Sequence, residues 1–158
     1  MLPPGENSEW LGEIAEFKRQ IPRPKPYAPY TVLHTLSELT KGEANIVTDV
    51  GQNQMWTAQY YDFERPRSLI TSGGLGAMGF GMGAAIGAAL GKPERKTVLI
   101  TGDGGFHMSL SELATLSRYN IPVVVIVMNN GVLGMVRQWQ KGFYDGRFPR
   151  LSRSAGRI

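Results

Sequence analysis

An unbroken run of β-branched residues limits the folds open to this chain more than any other feature. Residues 123–127 read Val-Val-Val-Ile-Val, after Pro122 and before Met128 and Asn129. A run with no polar alternation predicts a strand that is covered on both faces, which is typical of a parallel sheet. Parallel strands need crossover connections, usually helices, so the run favours an α/β protein.

Shorter apolar segments alternate with helical patterns along the rest of the chain. We predict strands over 44–50, 68–71, 97–101 and 122–128, and helices over 8–20, 29–41, 52–61, 79–90, 109–119 and 131–140. Ser109 and Glu112 have the spacing of a capping box, and the helix over 79–90 is apolar on every side, which indicates burial. This order predicts a doubly wound parallel sheet with helices on both faces.

The chain has 158 residues, which is enough for one domain with a sizeable core. Alternating prolines over 22–26 predict an extended linker and a domain boundary near residue 27, or else only a loop. We therefore divide the chain into a lead-in helix and linker (1–27), one domain (28–149) and a tail (150–158). We expect a disordered tail; six basic residues against one acidic over 137–158 leave a nucleic-acid or anionic-surface contact as the alternative.

Composition excludes several kinds of site. The chain has no cysteine, which excludes disulfides, cysteine nucleophiles and iron–sulfur clusters, and two histidines, which excludes a histidine-rich metal site. A formal net charge of +4 does not by itself indicate nucleic acid. No apolar run approaches the ~20 residues that span a bilayer, and no signal-peptide pattern is visible. We expect a cytoplasmic protein without nucleic-acid or membrane partners.

Three glycine- or asparagine-rich loops follow predicted strands, at the sheet edge where open parallel sheets bind ligands. The first contains G-x-G-x-x-G from Gly74 to Gly79, which alone suggests a dinucleotide site. The acidic residue expected on the next strand is misplaced, because Glu94 lies in a turn and Asp103 between glycines. The other interpretation is that these glycines allow close packing of a helix on the sheet.

The second loop is Gly102-Asp103-Gly104-Gly105, and the third is Asn129-Asn130-Gly131. Glycines let backbone N–H groups approach a phosphate, and a neighbouring carboxylate then calls for a bridging cation. Mg²⁺ suits this arrangement, since it prefers one or two protein oxygens together with substrate phosphates. The asparagines alternatively cap the next helix. If the two strands are neighbours, Asp103 and Asn130 reach one ion.

Taken together, the last two loops match a known pattern. Gly-Asp-Gly, then 24 residues, then Asn-Asn is the thiamine-diphosphate binding motif. Residues 50–56, 71–79 and 134–140 further resemble the large catalytic subunit of acetolactate synthase, and the likeness runs from about residue 8 to about residue 148. The resemblance implies that 28–149 is the C-terminal, thiamine-diphosphate-binding domain of that family. From Pro149 the likeness stops, although the family continues with another helix and strand, so the implied fold is C-terminally truncated.

The resemblance also implies site residues. Mg²⁺ is held by Asp103, Asn130 and the backbone oxygen of Val132. The cofactor is bound by Gln52, Asn53, Gly76, Met78, Gly102, Asp103, Gly104, Gly105, Asn130, Gly134 and Met135. Within that set, Gln52, Asn53, Gly104 and Gly105 hold the diphosphate, Met78 supports the bent cofactor, and the Gly76 backbone meets the aminopyrimidine. Met135 and Trp139 border the reacting carbon and the second substrate. Without the family, Met78 and Trp139 are interpreted as ordinary core or interface residues.

One residue departs from the family, which usually has His where this chain has Asn53. Asparagine still offers a hydrogen-bond donor, so we expect it to contact phosphate and the cofactor to bind.

The implied reaction joins pyruvate to a second 2-oxo acid with loss of CO₂, in branched-chain amino-acid synthesis. In the family the enzyme is a homodimer or tetramer that carries FAD, sometimes with a regulatory subunit. The Glu that activates the cofactor is absent here, because it lies on the pyrimidine-binding domain of a partner subunit. We therefore expect this chain alone to bind cofactor weakly or not at all, with no turnover.

Other interpretations stay open. One is a related thiamine-diphosphate carboligase or decarboxylase, although residues 134–140 argue against it. Another is a separate cofactor-binding subunit of a split enzyme, and a third is a non-catalytic binding module.

Overall fold

A computed structural model describes residues 8–20 and 28–146. Within these ranges lie seven α-helices, four strands and one short 3₁₀ turn at Leu110–Glu112. The helices are α1 (Ser8–Gln20), α2 (Pro29–Thr40), α3 (Gln52–Tyr60), α4 (Phe80–Gly91), α5 (Asp103–Met108), α6 (Leu113–Arg118) and α7 (Gly134–Phe143). The strands are β1 (Asn45–Thr48), β2 (Leu69–Thr71), β3 (Thr97–Gly102) and β4 (Val123–Met128).

All four strands are parallel and lie in the order β2-β1-β3-β4. Ile46 pairs with Val98, and Gly102 at the end of β3 pairs with Met128 at the end of β4. The chain moves outward from β1 to β2 and then returns past β1 to β3. The carboxyl ends of β1 and β3 therefore form the switch point at which such sheets open a ligand crevice.

Helices cover the two faces of the sheet, as predicted. Helices α2 and α3 belong to one face, whose buried core contains Leu33, Ala44, Ile46, Tyr61, Val98 and Ile100. On the other face α4 packs on the sheet around Val47, Met82, Ala85 and Leu99, with Phe106 of α5 and Leu116 of α6 at the edge of the cluster. Residues on β1 and β3 alternate between these two clusters. The doubly wound parallel fold is thereby confirmed.

The prediction that 122–128 is covered on both faces is wrong for this structure. Strand β4 is an edge strand of the sheet formed by the described residues, and Val124 is 57% exposed. Val127 is also exposed. The apolar run correctly predicted the parallel strand type, but it does not reveal the strand's position in the sheet.

Helix α4 is buried on one face, not on every side. Met82, Ala85 and Ala89 face the sheet, whereas Gly83 and Gly87 are exposed. Glycine and alanine make the whole helix apolar without indicating which side packs. The hydrophobic pattern therefore overstated its burial.

The predicted loop over 102–105 and the predicted helix over 109–119 also differ from the structure. Helix α5 already begins at Asp103, and the later segment is divided into the 3₁₀ turn and α6. The capping box does not form: the Ser109 hydroxyl donates to the Gly105 carbonyl (3.4 Å), and Glu112 accepts from the Thr115 hydroxyl (3.0 Å). Ser109 is the C-cap residue of α5, so its hydroxyl bonds to the helix before it and not to the one after it.

The remaining elements lie within a few residues of their predicted bounds. Helix α2 ends as predicted, with Lys41 and Gly42 both at positive φ (52° and 66°). The proline-rich linker and the tail lie outside the described residues, so the division at 27 and 149 stays a prediction. No helix in 8–20 or 28–146 is long and apolar enough to cross a membrane.

Candidate active site

A groove lies at the carboxyl edge of the sheet, over the switch point between β1 and β3. The loops after β1 and β4, the junction of β3 with α5, the 76–78 segment and the start of α7 form its walls. Its lining residues are Val50, Gly51, Gln52, Asn53, Trp56, Gly76, Met78, Gly102, Asp103, Gly104, Gly105, Met128, Asn130, Val132, Leu133, Gly134, Met135 and Val136. The structure thus brings together every predicted site residue except Trp139.

Three oxygen-bearing residues meet in this groove because β3 and β4 end side by side. Asp103 follows β3 and is 9% exposed, while Asn130 and Val132 follow β4. The Asn130 side-chain oxygen accepts the Val132 N–H at 3.0 Å, which shapes the loop. Asn129 makes a similar turn with Gly131 (3.1 Å), so neither asparagine caps α7, whose N-cap residue is Leu133.

A carboxylate, an amide oxygen and a main-chain oxygen are hard donors that suit Mg²⁺. The described residues contain no group of three or more His, Asp or Glu side chains that could hold a metal. An ion at Asp103 would therefore need further oxygens from a ligand. Phosphate oxygens supply these in the usual Mg²⁺ site, so the donor set fits a diphosphate better than a free-standing metal centre.

Glycines keep the groove open. A Cβ at Gly104 would come within 3.2 Å of both Met78 Cε and Leu133 Cδ2. At Gly134 it would lie 2.6 Å from Gln52 Cδ. Side chains at these two positions would fill the space that a ligand needs, so the glycines fit a backbone-lined cradle for phosphate.

Gln52 connects the loops across the groove. Its Oε1 accepts a hydrogen bond from Asn130 Nδ2 (3.1 Å), and its Nε2 donates to Gln138 Oε1 (3.4 Å). These hydrogen bonds are exposed, so Gln52, Asn130 and Gln138 can exchange them for bonds to a ligand at little cost in free energy.

Asn53 lies deeper than the resemblance implies. Its Nδ2 donates to the Asp49 carbonyl (2.9 Å) and to the Ile100 carbonyl (3.1 Å), and the residue is 3% exposed. An amide nitrogen has two hydrogens, so no donor remains for a phosphate. The expectation that Asn53 donates to the diphosphate therefore disagrees with the structure: its short side chain ends between β1 and β3.

Of the two residues expected on the substrate side, only Met135 lines the groove. Trp139 lies one turn further along α7, 60% exposed, with its ring 5.2 Å from that of Phe143. The structure therefore places Trp139 on an outer face of α7 and not among the described lining residues.

Comparison with known proteins shows which family contains a chain with this groove. Residues 49–156 match the family described as “Thiamine pyrophosphate enzyme, C-terminal TPP binding domain”. The chain belongs to this family. The match begins just before the groove-forming loop after β1 and includes the other loops that line the groove.

The most similar proteins that we compare are acetolactate synthases. The chain is 47% identical over 145 residues to the large subunit from Lactococcus lactis subsp. lactis (89% of this chain, 25% of that protein). It is 50% identical over 142 residues to the chloroplastic acetolactate synthase 1 of Nicotiana tabacum (87% and 21%). The resemblance drawn from the motifs is confirmed. The chain spans about a quarter of the length of these relatives.

A solved structure shares the fold. The thiamine diphosphate-dependent 4-hydroxybenzoylformate decarboxylase of Rhodococcus jostii RHA1 aligns with a TM-score of 0.74 and 26% identity. The alignment covers 84% of this chain and 25% of that one.

The dinucleotide interpretation of 74–79 is not supported in a member of this thiamine pyrophosphate family. The N–H groups of Gly79 and Gly81, at the start of α4, already donate to the Asp49 carboxylate (2.9–3.1 Å). A dinucleotide would need that position for its own phosphates.

Sequence reasoning missed Asp49 and six residues that line the groove: Val50, Gly51, Trp56, Met128, Leu133 and Val136. Trp56 and Leu133 line the groove, but an apolar residue near a motif gives no separate signal. Asp49 lies beneath the groove and is 1% exposed. A charged residue directly after a buried strand is unusual, and this signal could have singled it out.

Proposed function

We propose that this chain is the Mg²⁺- and diphosphate-binding part of an acetolactate synthase large subunit. The observation that carries the proposal is the meeting of Asp103, Asn130 and Val132 in a groove kept open by Gly104 and Gly134. The identity of 47% over 145 residues to an acetolactate synthase supports this activity over others.

Asp103, Asn130 and the Val132 carbonyl would hold Mg²⁺, whose charge would offset that of the diphosphate of thiamine diphosphate. Gly104 and Gly105 would present backbone to the phosphates, and Gln52 would exchange its contact with Asn130 for one with the ligand. When bound, the cofactor supplies the electron sink that makes loss of CO₂ from a 2-oxo acid possible.

Met78, whose Cε lies beside Gly104, and the Gly76 backbone also line the groove and would position the heterocyclic half of the cofactor. Met135 borders the space left for the 2-oxo acids and excludes water from it. Trp139 meets substrate only if another part of the enzyme closes over α7.

The activity needs more than the described groove. We propose a cytoplasmic homodimer or tetramer in which the pyrimidine-binding domain of a second subunit supplies the activating Glu. FAD and a regulatory subunit belong to the same proposal. The substrates are pyruvate and a second 2-oxo acid, and the chain alone has no turnover.

A second candidate is a thiamine-diphosphate-dependent decarboxylase, because a decarboxylase shares the fold at 26% identity. The two candidates differ in product, since a decarboxylase releases an aldehyde whereas a synthase forms acetolactate.

The test is a chimera in which residues 8–148 replace the matching part of the Lactococcus lactis large subunit. With pyruvate, Mg²⁺ and thiamine diphosphate we expect acetolactate. Losing the metal carboxylate in Asp103→Ala should lower kcat/KM at least about a hundredfold, the scale of a buried charged contact. The control is Asp145→Asn, which removes the same charge at an exposed site.

A folded chimera that forms no acetolactate, or that forms acetaldehyde instead, would contradict the proposed activity. Full activity of Asp103→Ala would contradict the proposed metal site. Robust turnover by the 158-residue chain without the other domains would contradict the proposal that a second subunit is required.

A further inference from the structure

A buried carboxylate lies under the groove, and the proposed function gives it no role. Asp49 directly follows β1 and is 1% exposed. Its Oδ1 accepts the N–H of Val50 (2.8 Å) and of Gly79 (3.0 Å), and its Oδ2 accepts the N–H of Gly79 (3.1 Å) and of Gly81 (2.9 Å). Both oxygens are therefore committed to backbone donors.

Two glycines make room for this carboxylate. A Cβ at Gly81 would lie 3.0 Å from Asp49 Oδ2, and a Cβ at Gly105 would lie 2.6 Å from Asp49 Cγ. Gly105 belongs to α5, which directly follows β3, and Gly79 closes the 73–79 loop. Asp49 is thus the point at which three groove-forming segments touch.

Within 8–20 and 28–146, few other contacts hold the 73–79 loop. Residues 73–77 are exposed, and Leu75 is 98% exposed. Met78, which lines the groove, directly precedes the Gly79 N–H that donates to Asp49. The other side-chain bond to this loop is from Ala77 N–H to the Ser72 hydroxyl, at 3.1 Å on the surface.

We propose that Asp49 is a positioning residue that fixes Met78 and the Gly76 backbone opposite the start of α5. It thereby builds the part of the groove that takes the heterocyclic half of the cofactor. The Mg²⁺–diphosphate part is built by the ends of β3 and β4, where Asp49 packs against Gly105, whereas its hydrogen bonds go to Val50, Gly79 and Gly81. This inference rests on the proposed function, because it assumes that the groove takes thiamine diphosphate.

The role requires a carboxylate. Asparagine has the same shape, but its NH₂ group would face at least one backbone N–H whichever way the amide turned, since both oxygens of Asp49 accept. Asp49→Asn therefore keeps the packing and removes the attachment. Asp145→Asn, the same change at an exposed site, is the matched control.

The first readout is backbone motion in the ¹⁵N-labelled chain. In Asp49→Asn we expect the NMR order parameters of residues 76–79 to fall from about 0.85 to below about 0.6, with β1 and β3 unchanged. Asp145→Asn should match the wild type. Unchanged order at 76–79, or loss of order throughout the sheet, would overturn the inference.

The second readout compares two ligands, each with Mg²⁺: thiamine diphosphate and inorganic pyrophosphate. We expect wild type to prefer thiamine diphosphate by about tenfold or more, and Asp49→Asn to lose that preference while keeping its pyrophosphate affinity. A merely structural role would lower the affinity for both ligands equally. That result, or a preserved preference, would overturn this inference without overturning the proposed function. If the isolated wild-type chain binds neither ligand, the same comparison is made in the chimera that carries residues 8–148. A wild-type chimera that binds neither ligand would overturn the proposed function, and with it the positioning role.

Discussion

At the scale of single residues, buried polar side chains hold the groove's loops in place. Asn53 joins the ends of β1 and β3 through two backbone carbonyls, and Asp49 joins β1 to α4. The motifs predicted which residues line the groove because those residues carry chemistry at fixed spacing. They did not predict that the donors of Asn53 are used internally, since that depends on the depth of a side chain.

Replacing Asn53 by Ala should lower the free energy of unfolding by about 1–3 kcal/mol, because a buried carbonyl loses its donor. The affinity for Mg²⁺–pyrophosphate should change by less than about threefold, which is less than the loss of a hydrogen bond to a charged phosphate would cause. Urea unfolding and calorimetry measure the two quantities. A large loss of affinity without a loss of stability would restore the role that the resemblance implied.

Ionisation of Tyr61 lowers the stability of the fold at high pH. Burial raises the pKa of its hydroxyl above the ordinary value of 10.0, against the lowering effects of hydrogen bonds to Thr40 and Ala44. The raised folded-state pKa contributes stability that is fully present below pH 10 and is lost as the pH rises through the folded value. Above pH 10 the unfolding free energy should therefore fall more steeply for wild type than for Tyr61→Phe. Tyr144→Phe, at an exposed site, should follow the wild type.

At the scale of elements, the sequence predicted whether a segment is helix or strand better than it predicted what that segment packs against. The β-branched run of β4 and the proline at the start of α2 gave reliable local signals. The capping-box pattern at Ser109 failed because α5 begins earlier, at Asp103, and takes Ser109 as its end. The spacing of Ser109 and Glu112 does not reveal a competing helix that starts inside a glycine-rich segment.

Helix α4 offers a matched pair of glycines. Ala at Gly81 would meet Leu99 Cδ1 at 2.8 Å and the Asp49 carboxylate at 3.0 Å, whereas at Gly83 nothing lies within 4 Å. Gly81→Ala should destabilise the fold by about 1–3 kcal/mol through overpacking. Gly83→Ala should stabilise it by about 0.5–1 kcal/mol, since alanine favours helix. Thermal or urea unfolding of both variants checks the sign, and equal effects would contradict the one-sided packing of α4.

At the scale of the whole molecule, the site is a consequence of topology. The order β2-β1-β3-β4 puts the switch point between β1 and β3, so the loops after these strands open beside each other. The sequence analysis made the pairing of β3 with β4 a condition for Asp103 and Asn130 to reach one ion, and the structure shows that these strands are neighbours. The exposed position of β4 was not predictable, since strand order depends on contacts distant in sequence.

The central claim is that this groove is a Mg²⁺-dependent diphosphate site. Its most direct test is an NMR titration of the ¹⁵N-labelled chain with millimolar thiamine diphosphate, in Mg²⁺ and then in EDTA, for wild type and Asp103→Ala. We expect amide shifts at 102–105 and 129–134 that need Mg²⁺ and vanish in the variant. No shifts in the chain together with no Mg²⁺-dependent binding by the chimera would contradict the claim. So would shifts that persist in EDTA and in Asp103→Ala, or the same shifts with NAD.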